Sequence, residues 1–283
     1  KSNLIATCSM ITATSPGVPP PPELPAIQKG FSNILKDYFQ DSAVRRQLLF
    51  ATPDPNDLCN TEFSFSSIIA LHYLDKEGIQ PETVGEQVQL GQATFTPMTT
   101  NSGGYRKLDD RGFQVMIGYS DFDQFALRVS LSTILAGEVP VDDLSDYGVL
   151  IGVSDPFSND LLLTPENVRS RQGNLIPGVI VQAHMLNYLL GTALGDRRVI
   201  NVLPDWIATG WIIRFSLLGA GLSAVTQRAS FWSLTLGIAI LSLYGLCFGL
   251  FILGWWVPWI PAVIGLTIGS SSLWTYRKFG RRL

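Results

Sequence analysis

All seven tryptophans lie after residue 205, at or inside three long apolar runs. They are Trp206, Trp211, Trp232, Trp255, Trp256, Trp259 and Trp274. An indole is mostly apolar but carries one N–H that wants a partner, so tryptophan gathers where hydrocarbon meets water. The runs are Trp206–Val225, Ser230–Leu253 and Trp256–Tyr276. Each has about the 20 residues that a helix, rising about 1.5 Å per residue, needs to cross a hydrocarbon core of about 30 Å. Only Thr226–Ala229 and Gly254–Trp255 join them. Links this short force antiparallel neighbours. Residues 205–283 are therefore expected to form an all-α three-helix transmembrane bundle, with residues 1–204 together on one side of the bilayer.

Charge gives the expected orientation. Arg228 lies between the first two runs, and Arg277, Lys278, Arg281 and Arg282 follow the third. Basic residues stay on the cytoplasmic side, so residues 1–204 are expected in the periplasm, lumen or exterior. Residues 205–283 hold six basic residues and one acidic, whereas residues 1–204 hold fourteen basic and twenty-two acidic. An acidic head argues against nucleic acid as a partner. Arg214 falls inside the first run, with no acid in the other two. It reads either as a side chain that snorkels to the outer interface or as a residue coupling the head to the membrane. Gly219, Gly221, Ser223, Gly265, Gly269 and Ser270 allow helices to approach closely.

The head reads as an α/β domain with a mixed sheet. Val44–Phe50 and Phe113–Tyr119 have strand character, and Val88–Leu90 with Ala93–Met98 suits a hairpin. Phe63–Glu77 reads as a helix stopped by Gly78, and Ser130–Ala136 as one stopped by Gly137. Asp146–Val153 contains a continuous apolar stretch expected as a buried strand. Pro177-Gly178 opens a helix expected to run through Leu190 and stop at Gly191. The proline-rich stretch from Pro16 to Pro25 cannot pair in a sheet and is expected as an exposed loop. The chain begins at Lys1 in strand-like sequence, so something upstream is expected to be missing. Cys8 and Cys59 both fall in the head, where a disulfide is permitted. Cys247 lies mid-membrane and is expected only to pack.

Two segments carry a resemblance. Gly148-Val-Leu-Ile-Gly-Val-Ser-Asp155 continues to Thr164-Pro165, and Ile176-Pro-Gly-Val-Ile-Val-Gln-Ala-His184 opens the helix that follows. In combination, and followed by three apolar runs, they resemble the end of a CHASE2 domain. Gly30–Asn33, Val44–Gln47 and Val129–Ser132 resemble its cyanobacterial branch. The resemblance implies an extracytoplasmic sensory module of a bacterial receptor, in a plasma or thylakoid membrane. Its output would come from a kinase, a cyclase or an upstream caspase-like CHAT domain. The sequence departs from the pattern where Asp41-Ser42-Ala43 replaces an Asp-Gly turn, and where Gly118–Asp121 replaces a Tyr-Arg pair.

Gly152, Asp155, Asp160 and Thr164 follow the expected buried strand, at the kind of sheet end where α/β proteins bind ligands. With His184 beneath, they form a candidate small-ligand site. In the alternative reading, Asp160 caps a turn and His184 is a packing histidine. Arg45, Arg46 and Gln47 are expected on a solvated strand edge rather than in an anion site. The chain has two histidines, no Gly-x-Ser-x-Gly elbow and no metal-ligand spacing. No cofactor or metal and no enzymatic activity are expected. The expected function is a sensory input module whose partners are the bilayer, a small ligand or protein outside the cell, and a second copy or a membrane complex. The alternatives are a structural accessory subunit of such a complex and, last, an extracytoplasmic hydrolase.

Overall fold

A computed structural model describes residues 3–13, 15–38, 41–121, 125–139, 147–169, 175–226 and 228–279. It divides into two compact units. The first holds Lys1–Pro97 and Arg111–Val199; the second holds Met98–Asp110 and Ile200–Leu283. Where a single boundary at residue 204 is expected, residues 98–110 instead join the apolar helices.

The first unit is mixed α/β, but its strands form several small sheets rather than one mixed sheet. Strand β1 (Ala6–Cys8) pairs in parallel with β2 (Lys29–Phe31). Strand β3 (Arg46–Phe50) pairs antiparallel with β7 (Phe113–Met116). Strands β4 (Pro81–Val84), β5 (Gln87–Leu90) and β6 (Ala93–Phe95) form an antiparallel meander. The expected hairpin is its second half. The turn at Gly91-Gln92 needs glycine, because Gly91 has φ +57° and a Cβ there would also overlap the Ala193 carbonyl. Strand β8 (Leu161–Leu162) pairs with β9 (Ile176–Pro177).

Helix α1 (Phe65–Lys76) begins where the Ser64 side chain accepts a hydrogen bond from the Ser67 N–H, and it ends before Gly78. Helices α2 (Leu131–Leu135) and α3 (Pro165–Arg169) are short. Helix α4 (Gly178–Ala193) runs past the expected stop at Gly191. Gly191 stays helical with the Arg197 side chain laid against it, and the left-handed residue that follows the helix is Gly195, φ +91°. Helix α4 is buried nearly all round. Leu186, Leu189 and Ala193 join Leu74, Leu90, Phe95 and Phe113 in the main core. Val181 and Met185 meet Val44, Ile117 and Leu162 in a second cluster. A third cluster surrounds the disulfide between Cys8 and Cys59, whose Cα atoms are 5.4 Å apart, with Phe31 fully buried beside it.

The expected strand at 146–153 is not formed over its described residues, 147–153. Leu150 packs on the main core and Gly148 faces Leu186, while the side chains of Tyr147, Val149, Ile151 and Val153 are exposed. An apolar run specifies burial, but a strand also needs a neighbour to take its hydrogen bonds.

In the second unit, α5 (Asp205–Val225) and α6 (Ala229–Ile252) are long and apolar enough to cross a membrane. Helix α7 (Trp259–Phe279) follows, with Arg277 and Lys278 in its last turn. Helices α5 and α7 pack along their lengths, while α6 touches both much less. Gly219 lies on the Leu266 carbonyl and Gly269 on the Ser216 carbonyl, so small residues bring the two backbones together. Arg277 donates to the Ser223 carbonyl at 3.0 Å and also to that of Ala224, capping the C-terminus of α5. Trp232 donates to the Ser270 hydroxyl at 2.9 Å and stacks on Trp274. Strands β10 (Asn201–Val202) and β11 (Trp255–Trp256) pair in parallel. Residues 98–110 close on themselves: Asp110 accepts from the Thr100 N–H and hydroxyl, and Tyr105 meets the Trp256 ring edge-on.

Candidate functional site

The first unit holds a cavity of about 250 Å³ at the start of α4. Gly152, Asp160, Gly178 and Gln182 contribute to its wall, with Ser32 and Phe65 opposite. Pro177 and Gly178 set the geometry. Proline fixes φ for the turn into the helix, and Gly178 leaves room that a side chain would fill, because a Cβ there would overlap both carboxylate oxygens of Asp160. The Gly178 N–H donates to the Asp160 carbonyl at 2.9 Å. Gly152 is equally constrained, since a Cβ would overlap Val179.

Asp160 thus brings a carboxylate to a helix N-terminus, where the helix dipole favours negative charge. Burial pushes its carboxyl above the usual carboxylate range, against the opposing pull of Lys36 and the Gly178 N–H. Gln182 stands one turn along the same helix face. It is buried, and its Nε2 donates to the Ser32 carbonyl at 3.3 Å. Its Oε1 has no hydrogen-bond partner among the described residues. Ser32 in turn donates from its hydroxyl (3.1 Å) and its N–H (2.8 Å) to the Cys8 carbonyl, so the disulfide pins this wall. A carboxylate and a buried amide acceptor beside Phe65, with the exposed Ile151 and Val153 only at the rim, suit a small molecule that donates hydrogen bonds or carries positive charge.

Of the expected site residues, the cavity unites Gly152 and Asp160 and leaves the other three elsewhere. Asp155 is exposed, and its carboxylate accepts from the Phe157 N–H at 2.8 Å in a local turn. Thr164 is buried, and its carbonyl accepts from the Val168 N–H as α3 begins. His184 lies two residues beyond Gln182, about 200° further round the helix. It packs between Tyr119 at 5.0 Å and Phe125 at 5.2 Å. Burial, and secondarily the charge of Arg197, lower its pKa to about 4. This is the packing-histidine alternative. Arg214 is exposed on α5 in the second unit.

Arg46 and Gln47 are buried, which overturns the solvated edge expected for them. Arg46 donates to Asp37 at 2.9 Å and to Gln114 at 2.5 Å. Arg45 reaches Asp37 at 3.1 Å and grips both oxygens of Asp41. The paired Arg45 lowers the Asp41 carboxyl to about 2. Neither Asp37 nor Asp41 was legible as an arginine partner, because both lie in irregular chain before β3. Each arginine is held by carboxylates, so the cluster is structural rather than an open anion site. Among the described residues, no group of three or more His, Cys, Asp or Glu side chains is placed to hold a metal.

A model of the CHASE2 domain family matches residues 2–221. No curated protein and no solved structure matches the chain.

Proposed function

The chain belongs to the CHASE2 domain family of extracellular sensory domains, and from that premise we propose that it is the membrane-anchored, non-catalytic signal-input module of a bacterial receptor. The first unit is the extracytoplasmic sensor, and α5, α6 and α7 are its three membrane spans. Helix α7 has the length to cross and ends on Arg277 and Lys278, so its C-terminal end faces the cytoplasm. The membrane is the plasma or thylakoid membrane. A cyanobacterial receptor whose output comes from a CHAT-like domain or a partner fits the same resemblance.

The cavity at the start of α4 carries this reading. A ligand held there would bias α4, and residues 194–204 connect α4 covalently to α5. Only a ligand with different affinities for two arrangements of α4 can shift an output. A non-catalytic role is supported by the separation of Asp160, in the cavity wall, from His184, on the far side of the helix.

The test is the thermal stability of the detergent-solubilised chain against a panel of small amines, amino acids and other hydrogen-bond donors. At least one compound is expected to raise the melting temperature, and the rise to vanish in Asp160→Asn and Gln182→Leu. An unchanged melting temperature across the panel counts against sensing. The exposed apolar side chains of Tyr147, Ile151, Val153 and Phe157 favour a second reading, an accessory subunit whose partners cover them. Stoichiometric co-purification with other membrane subunits would support it.

A further inference from the structure

In the second unit, α5 and α6 diverge enough to leave a groove of about 830 Å³ with Leu266 of α7 on its floor. One face of α5 lines it: Gly210, Arg214, Leu217 and Gly221, at helical spacing. Ala239 and Ser242 line it from α6. Nothing lies within 4 Å of where a Cβ would stand on Gly210 or Gly221, so the groove is open above both. Among its lining residues only Arg214 is charged, and no hydrogen bond or ion pair holds it among the described residues.

We propose that this groove docks a transmembrane helix of a partner protein that carries a single Asp or Glu near its midpoint. The proposal rests on α5 and α6 spanning the membrane. Charge then selects the occupant, because ionisable groups within a bilayer occur almost only when they meet a counter-charge or a wet cavity. Residues 205–283 contain one acid, Asp205, at the first position of α5. A second copy therefore has no mid-span carboxylate to offer. Depth argues against a lipid headgroup. Arg214 stands nine residues after Asp205 and eleven before Val225, near the middle of the span. A phosphate lies outside the hydrocarbon, about 15 Å from the midplane, farther than an arginine side chain extends, so on this reading Arg214 does not snorkel to the outer interface. A carboxylate on a neighbouring helix meets it at its own depth, and Gly210 and Gly221 let that helix approach closely.

The test uses the full chain in phosphatidylcholine vesicles at pH 8, with tryptophan-free Leu/Ala peptides of about 21 residues bearing a dansyl acceptor. All seven tryptophan donors lie in residues 206–274, so energy transfer reports association with the helices. A peptide with central Glu is expected to bind roughly threefold to thirtyfold more tightly than peptides with central Gln or Leu. Arg214→Gln should abolish the preference, Arg214→Lys should retain it, and Arg214→Glu should transfer it to a central-Lys peptide. Equal binding of all peptides, or a preference that survives Arg214→Gln, overturns the proposal. So does Arg214-dependent retention of phosphatidylglycerol without discrimination among peptides. Alkaline carbonate separates the two levels. A chain that stays in the membrane but shows no preference refutes the groove alone, whereas a chain that is extracted refutes the membrane reading and the groove with it.

Discussion

The disulfide between Cys8 and Cys59 should be a major stabilising element of the first unit. Its cysteines are 51 residues apart. In the chain-entropy account, closing a loop of that length removes about 14 cal/mol/K from the unfolded ensemble, or about 4 kcal/mol at 25 °C. The native state gives the bridge further weight, because both sulfurs are buried with Phe31, and the Cys8 carbonyl accepts twice from Ser32 at the cavity wall. The perturbation is Cys8→Ala/Cys59→Ala, compared with the oxidised parent in urea. Tryptophan fluorescence is blind to this unit, because every indole lies in the second one. Unfolding must instead be followed by pulse proteolysis with antibody detection of an N-terminal tag. With an m-value of about 2 kcal/mol/M, the midpoint should fall by about 2 M. A shift under about 0.5 M, with the parent shown to be oxidised, would refute the reasoning, since it would mean that the unfolded chain gains almost nothing from opening the loop.

Asp37→Ala leaves Arg46 and Arg45 without their shared carboxylate and should cost about 3–5 kcal/mol. Asp37→Leu/Arg46→Met should cost less than Asp37→Ala, and urea midpoints decide. Ser42 sits at φ +61°, a conformation that disfavours a side chain. Ser42→Gly should therefore stabilise the unit by about 0.5–1 kcal/mol, while Ser42→Ala should not. His184 has a folded pKa depressed to about 4 against an ordinary 6.5. The unfolded chain then binds the proton first, so stability falls as pH drops from about 6.5 to about 4. His184→Gln should flatten the melting temperature across that window, and an unchanged slope would contradict the buried neutral imidazole.

Much of the second unit was legible because its signals are local. Tryptophan-bounded apolar runs, Arg277 and Lys278 at the end, and glycines at α5–α7 spacing need no knowledge of distant contacts. The same holds for α1, stopped by Gly78 although it starts at Phe65 rather than at the expected Phe63, and for the hairpin of β5 and β6. What depended on partners was not legible. Residues 147–153 are apolar enough for a buried strand, yet hydrogen-bonded neighbours decide strand formation, and the side chains of Tyr147, Val149, Ile151 and Val153 remain exposed. Arg45 and Arg46 look like solvent charges until irregular chain brings Asp37 and Asp41 to them. Gly191 reads as a stop, but packing against Arg197 carries the helix to Ala193. At the cavity, Gly152 and Asp160 carried a signal through their position after the apolar run. Gln182 carried none beyond its spacing of four from Gly178, and His184, grouped with the site by its place in the sequence, turns away by helical phase.

Which sides of the membrane the first unit and the C-terminal end of α7 occupy is the claim on which the sensory account stands, and cysteine labelling in intact cells measures it directly. Glu82→Cys places a thiol on exposed β4, and Tyr276→Cys places one near the exposed end of α7. The native cysteines do not interfere, because Cys8 and Cys59 are bonded and Cys247 is buried. A membrane-impermeant maleimide should label Glu82→Cys in intact cells and Tyr276→Cys only after permeabilisation. Labelling of Tyr276→Cys in intact cells while Glu82→Cys stays protected would contradict the account.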